Sequence, residues 1–175
     1  MPGRVVGLPQ DNAQTSSIRL KDGARTSDIG IVITASSKKI LIVEDDTVTA
    51  TAHRKRLGRE GYRVETAADA EEGLSALSWF EPDAVLLDLN LPTRSGFEVL
   101  KAIRASEQFC AVGVLVFTST LTEQTLQECM EAGADKVFEK GSLSVSLLLE
   151  GVEGVLRKRS KDLEGAQPKD AGPCH

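Results

Sequence analysis

Asp88 closes an apolar run, Asp83-Ala84-Val85-Leu86-Leu87-Asp88, and is followed by Leu89-Asn90-Leu91-Pro92. One carboxylate is thereby presented at the exit of a buried strand. A second acidic group, Glu44-Asp45-Asp46, follows another apolar run, Ile40-Leu41-Ile42-Val43. Carboxylates crowded at strand ends repel one another, and either raised pKa values or a bound cation relieves the cost. Ligands that are all oxygen, few in number and leave room for water favour Mg²⁺. Thr118 and Ser119 end a further apolar run, and Lys140 stands just beyond Val137-Phe138. An acidic metal site flanked by a hydroxyl and an ammonium suits a phosphoryl group, whose charge needs the cations while its oxygens accept hydrogen bonds. Asp88 is itself a candidate nucleophile, since carboxylates form acyl phosphates.

The elements that must position these groups alternate in type. Strand-like runs cover residues 40–43, 62–66, 84–87, 112–117 and 137–138, and amphipathic helical stretches cover 48–60, 69–80, 96–105, 123–132 and 145–157. Five strands alternating with five helices predict an α/β fold, a doubly wound five-stranded parallel sheet with helices on both faces. In such a sheet the carboxyl ends of the strands converge on one crevice. Singly, an acidic pair before a helix reads as a cap, a Thr at a strand end as a turn former, and a Lys after a strand as a solvated cation. All of them at the same ends of successive strands point to one site. Asp69 is expected to cap the second helix, Glu81-Pro82 to stop it, and Gly133 to end the fourth helix in a left-handed turn.

Composition narrows the class. With 175 residues and 41% hydrophobic content the chain builds one ordinary core. The net charge of −5 is uneven: residues 1–37 carry four basic and three acidic side chains, residues 157–175 carry five and three, and the middle is left at −8. An acidic middle argues against a nucleic-acid-binding surface. No apolar run reaches the roughly 18 residues of a membrane span, and the start lacks a secretory leader, so a cytoplasmic protein without membrane attachment is expected. Cys110, Cys129 and Cys174 lack the CxxC spacing of a zinc site, and the first two are expected as small buried hydrophobes. Residues 1–37 read as a disordered extension carrying one apolar patch, Ile29-Gly30-Ile31-Val32-Ile33; residues 38–158 as the folded domain; and residues 159–175 as a disordered tail. The cations after Arg157 are expected to complement the dipole of the last helix.

In combination, Ile-Leu-Ile-Val-Glu44-Asp45-Asp46, Val-Leu-Leu-Asp88-Leu-Asn90-Leu-Pro92 with Gly96, Phe-Thr118-Ser119, and Gly133-Ala134-Asp135 before Lys140 resemble the receiver domain of two-component response regulators. The likeness covers roughly residues 38–157 and implies the flavodoxin-like receiver fold. It implies that Asp88 is the phosphoacceptor, that Asp45 ligates Mg²⁺ directly with Glu44 helping through water, and that the Asn90 backbone carbonyl is a further ligand. Thr118 would hydrogen-bond the phosphoryl group and Lys140 would pair with it. Two positions depart from the family pattern. Gly141 follows Lys140 where Pro is usual, and Val137 occupies the place of the aromatic that reports phosphorylation. Phe138 is one position away, so strand alternation points it to the opposite face.

The resemblance implies a switch rather than an enzyme, phosphorylated by a histidine kinase or histidine phosphotransfer protein and acting on a downstream protein target. The flanking segments are short and polar, so a stand-alone, single-domain regulator of a phosphorelay is expected, with output on another protein. In the last helix Val145, Leu148, Leu149, Val152 and Leu156 form the expected core stripe, while Leu143, Leu147, Gly151 and Gly154 lie on another face. Interior helix glycines cost about 1 kcal/mol each, and either close packing against a partner, dimerisation included, or a frayed terminal helix would account for them. A rival expectation is a degenerate receiver that binds partners constitutively. A phosphatase with an aspartyl nucleophile is disfavoured, because Asn90 stands where a general acid is needed.

Overall fold

The computed structural model describes residues 38–92 and 94–165. The apolar patch at Ile29 to Ile33, the rest of the expected N-terminal extension and residues 166–175 lie outside the described residues. The described chain alternates strictly: β1 Lys39–Val43, α1 Thr47–Arg59, β2 Arg63–Ala67, α2 Ala70–Phe80, β3 Ala84–Asp88, α3 Gly96–Ala105, β4 Gly113–Thr118, α4 Glu123–Glu131, β5 Lys136–Glu139 and α5 Val145–Gly165, with a short 3₁₀ turn at Lys140–Ser142. All four strand pairings are parallel and the order is β2-β1-β3-β4-β5. The five-stranded parallel sheet expected from the sequence is present, with β3 at its centre.

Strand alternation divides the core into two layers, because successive side chains point to opposite faces. Leu41, Val43, Val85, Leu87, Val114 and Val116 pack with Leu77 and Phe80 of α2, Val99, Leu100 and Ile103 of α3 and Cys129 of α4. Ile40, Ile42, Leu86, Leu115 and Phe117 pack with Ala50 and Leu57 of α1 and Leu148, Val152 and Val155 of α5. Both faces of the sheet are covered, which explains why β1, β3 and β4 read as unbroken apolar runs. Cys129 is buried as expected, whereas Cys110 is only half-buried.

Helix ends follow the local chemistry. Asp69 accepts from the amides of Glu71 and Glu72, and Thr122 accepts from Thr125. Glu81 takes a left-handed turn (φ 51°) ahead of Pro82, and Gly133 does so after α4 (φ 93°), a conformation in which glycine bears no Cβ penalty.

The last helix departs from expectation in three ways. It runs through Gly165, so Arg159 to Gly165 are helical rather than part of a disordered tail. Its buried stripe is Leu148, Val152 and Val155, with the expected Leu149 and Leu156 half-buried against the same core, while Val145 is 47% exposed. One of its glycines is explained within the chain: a Cβ on Gly151 would lie 2.8 Å from Phe138 Cζ, whereas the nearest atom to a Cβ on Gly154 would be Lys136 Nζ, the end of a flexible side chain, at 3.2 Å.

The extension of α5 is anchored by a buried acid at the far end of β4 from Thr118. The Asp135 side chain, 4% exposed, accepts from the Val114 amide (2.9 Å), Arg104 Nη2 (3.0 Å) and Arg159 Nη2 (2.9 Å), with Lys158 Nζ at 3.4 Å. Lys158 and Arg159 thus pair with Asp135. Arg104 also donates to the carbonyls of Gly133, Cys110 and Val112 at 2.8, 3.0 and 2.8 Å, tying α3 to both flanks of β4. Burial pushes the Asp135 carboxyl upward, but the Arg159 hydrogen bond, the Val114 amide and the two guanidinium charges outweigh it and hold the group below its ordinary value. A lowered folded pKa gives stability that is present above the unfolded value, about 3.9, and is lost as pH falls through the folded one. Urea unfolding followed across pH is therefore expected to show an acid limb, with stability declining below about pH 4, and Asp135→Asn should flatten that limb while lowering stability at neutral pH.

Candidate functional site

Strand ends place the acids. The Glu44 amide donates to Ala67 O (3.0 Å), continuing the β1–β2 ladder one residue past β1 and fixing the Glu44 side chain at the strand exit. Asp46 turns away to cap α1, accepting from the Thr49 amide at 2.7 Å, and its carboxyl is held below the usual range chiefly by that bond. The triplet therefore divides its labour: Asp46 starts a helix, and Glu44 and Asp45 face the crevice. Asp88, 2% exposed, ends the central strand between β1 and β4. Its Oδ1 accepts from the Asn90 amide at 3.0 Å, and the next amide, Leu89, donates to Phe117 O at 3.1 Å.

Lys140 joins the two strands. From the start of the 3₁₀ turn after β5 its Nζ reaches Asp88 Oδ2 at 2.6 Å and both Glu44 oxygens, at 2.9 and 2.8 Å. Burial would lower the ammonium's pKa, yet the hydrogen bonds to Asp88 and Glu44 outweigh it and the net direction is upward, so Lys140 stays charged. The Glu44 carboxyl is pushed up from 4.5, first by burial and then by the nearby Asp88 charge, with the Lys140 bond offsetting only part.

One carboxylate oxygen from each of Glu44, Asp45 and Asp88 falls within 4.8 Å of the others; Glu44 and Asp88 are buried and Asp45 is exposed. Three carboxylates facing one ammonium leave an excess of negative charge. The donor set is oxygen alone and open to solvent on the Asp45 side, which fits a hard divalent ion that keeps part of its water.

The remaining expected residues sit on the same edge with different engagements. Thr118 is 4% exposed and ends β4, and its hydroxyl donates to Thr120 O (3.0 Å) and accepts from the Thr120 amide (3.4 Å). The Asn90 side chain donates to Ser119 Oγ at 3.3 Å, bridging the loops after β3 and β4. Gly96 backs the site: a Cβ there would lie 2.1 Å from Asp88 O and 2.8 Å from Leu89 Cα, so the first turn of α3 rests directly on the strand end. Thr120, which holds the Thr118 hydroxyl, carries no apolar periodicity and no acidic neighbour that would have marked it in the sequence. Gly96 was visible only as part of a motif; its packing role comes from the close approach of α3.

The family model described as "Response regulator receiver domain" matches residues 40–153. The transcriptional regulatory protein PrrA of Mycobacterium leprae is 33% identical over 124 residues, 71% of this chain and 52% of that protein. The transcriptional regulatory protein AfsQ1 of Streptomyces coelicolor is 33% identical over 123 residues, 70% of this chain and 53% of that protein. The chain thus spans about half the length of the curated relatives it matches. Among solved structures, a CheY-like response regulator receiver domain protein from Methanospirillum hungatei superposes with a TM-score of 0.66 at 31% identity, covering 71% of this chain and 98% of that one. The BeF3-activated N-terminal receiver domain of Klebsiella pneumoniae RstA gives 0.64 at 26% identity, covering 69% and 99%.

Calorimetric titration is expected to show Mg²⁺ binding that weakens as pH falls, because the Glu44 carboxyl, already raised, must be ionised to serve the ion. Asp45→Asn should weaken binding about tenfold, the equivalent of about 1.4 kcal/mol, and Glu44→Gln should flatten the pH dependence.

Proposed function

This chain belongs to the response regulator receiver domain family, and from that premise we propose that it is a phosphorylation switch, with Asp88 accepting a phosphoryl group from a phosphohistidine. The donor is a histidine kinase or a histidine phosphotransfer protein, and the output is a protein–protein contact made by the switched form. The observation that carries this reading is the Lys140 ammonium, 2.6 Å from Asp88 and 2.8 Å from Glu44, which draws the ends of three strands into one charged cluster.

Each residue has a task in the transfer. Asp88 is held by the Asn90 amide on one oxygen and by Lys140 on the other. As an Asp88 oxygen forms its bond to phosphorus, the phosphorus–nitrogen bond of the donor breaks and its electron pair returns to the imidazole. Lys140, kept protonated by its two acids, neutralises charge on the transferring oxygens. Glu44, Asp45, Asp88 and the Asn90 carbonyl are the proposed ligands of Mg²⁺, which when bound supplies further neutralisation of the same oxygens. Thr118 must give up its bonds to Thr120 to reach the new dianion, and that exchange moves the loop after β4. A loop with two bonding arrangements is a two-state element of the kind a local charge change can bias.

A second reading, a receiver that binds partners constitutively, draws on Val137 in the place of the usual aromatic and on the Thr118 hydroxyl already engaged elsewhere. Mass spectrometry of the chain after incubation with acetyl phosphate and Mg²⁺ separates the two: one added phosphoryl group is expected, absent in Asp88→Asn. Lys140→Met should slow its appearance about a hundredfold, the usual loss for one electrostatic donor. Failure of the natural sequence to acquire the group would favour the constitutive binder, and sustained turnover of a generic phosphate ester would make the protein an enzyme.

A further inference from the structure

Phe117 connects the acidic site to the α1–α5 face. Its carbonyl accepts from the amide of Leu89, the residue after Asp88, and its neighbour Thr118 is the hydroxyl that must change partners. Its ring, 5% exposed, lies between two others: His53 of α1 at 5.9 Å and 29°, and Phe138 of β5 at 5.6 Å and 22°. Three near-parallel rings therefore run from α1 across β4 to β5. The far ring, half-buried, rests one edge on Gly151 of α5, where even a Cβ would come within 2.8 Å of its Cζ.

Among the described residues the opposite face shows no such row. Val137 packs in the layer shared with α2, α3 and α4 as a half-buried aliphatic side chain, with no ring to turn in or out. The His53 ring is also within electrostatic reach of the site: burial first, and then the Lys140 charge, lower its basicity. Packed interiors of this kind pass small displacements on by shifting between arrangements rather than deforming smoothly.

We propose that the state of Asp88 is relayed through the row His53, Phe117 and Phe138 to the packing of α5 at Gly151, in place of an aromatic rotation on the α4 side. The relay rests on the phosphorylation reading above. Phosphorylation pulls Leu89 and Thr118, Phe117 moves with both, and its ring contacts carry the shift to α1 and α5 together.

NMR spectra of the full chain, labelled on amides and on the histidine ring, would be recorded with Mg²⁺ before and after beryllofluoride, an unreactive phosphoryl mimic. The Leu89 and Asn90 amides report occupancy. With these shifted, the His53 ring and the Gly151 amide are expected to move more than the amides of Leu126 and Met130 on α4. In Phe138→Leu the Leu89 and Asn90 response should remain, while the Gly151 response is lost. A response confined to α4, or a Gly151 response undiminished in Phe138→Leu, overturns the relay alone. Unmoved Leu89 and Asn90 amides overturn the phosphoacceptor reading, and the relay with it. Should Phe138→Leu fail to fold, the comparison of His53 and Gly151 with Leu126 and Met130 in the natural sequence decides.

Discussion

The Lys140 ammonium is the contact on which the charged edge of the sheet depends. Glu44 and Asp88 stand 6% and 2% exposed at the ends of adjacent parallel strands, where water cannot separate their charges. Two ionised carboxylates so placed repel strongly, and one cation hydrogen-bonded to both is what allows β1 and β3 to end together. The same cation leaves the cluster under-neutralised once Asp45 is counted. Residual negative charge at a solvent-open rim suits a divalent ion, so the cost of gathering the acids and the cluster's fit to a metal have one origin.

The two ends of β4 treat buried acids differently. At one end Asp135 is saturated by two guanidiniums, a lysine and a backbone amide, and it locks α3 and α5 to the strand. At the other, Asp88 shares a single lysine with Glu44 and takes one amide. The saturated cluster suits a fixed joint. The undersupplied one suits a place where charge is meant to change, consistent with chemistry at the carboxyl ends of a parallel sheet.

Much of this was legible in the sequence because a sheet buried on both faces writes its strands as continuous apolar runs, and the groups that matter come directly after those runs. Glu44, Asp45, Asp88 and Lys140 were each placed by that rule, and the structure brings them into one cluster. What escaped depends on partners far along the chain. The basic run Lys158-Arg159 reads from sequence as a complement to the dipole of α5 because its acid, Asp135, comes from the turn just before β5. Gly151 looked like a gap awaiting a partner because Phe138, which fills it, comes from β5. The stripe of α5 includes Val155 rather than Val145, since a helix whose apolar residues are all Leu and Val offers several nearly equivalent faces. The direction of the Thr118 hydroxyl is a choice between neighbours, which residue type does not encode.

Gly96 gives the central strand a one-sided boundary. With hydrogen the largest substituent that fits between the first turn of α3 and the Asp88 carbonyl, the backbone at this point has no room to recoil. The first turn of α3 thus backs the Asp88 carbonyl on one side, while the loops that follow β3 and β4 border it on the other. The missing methyl acts as a stop, letting helix and strand end meet with nothing between them.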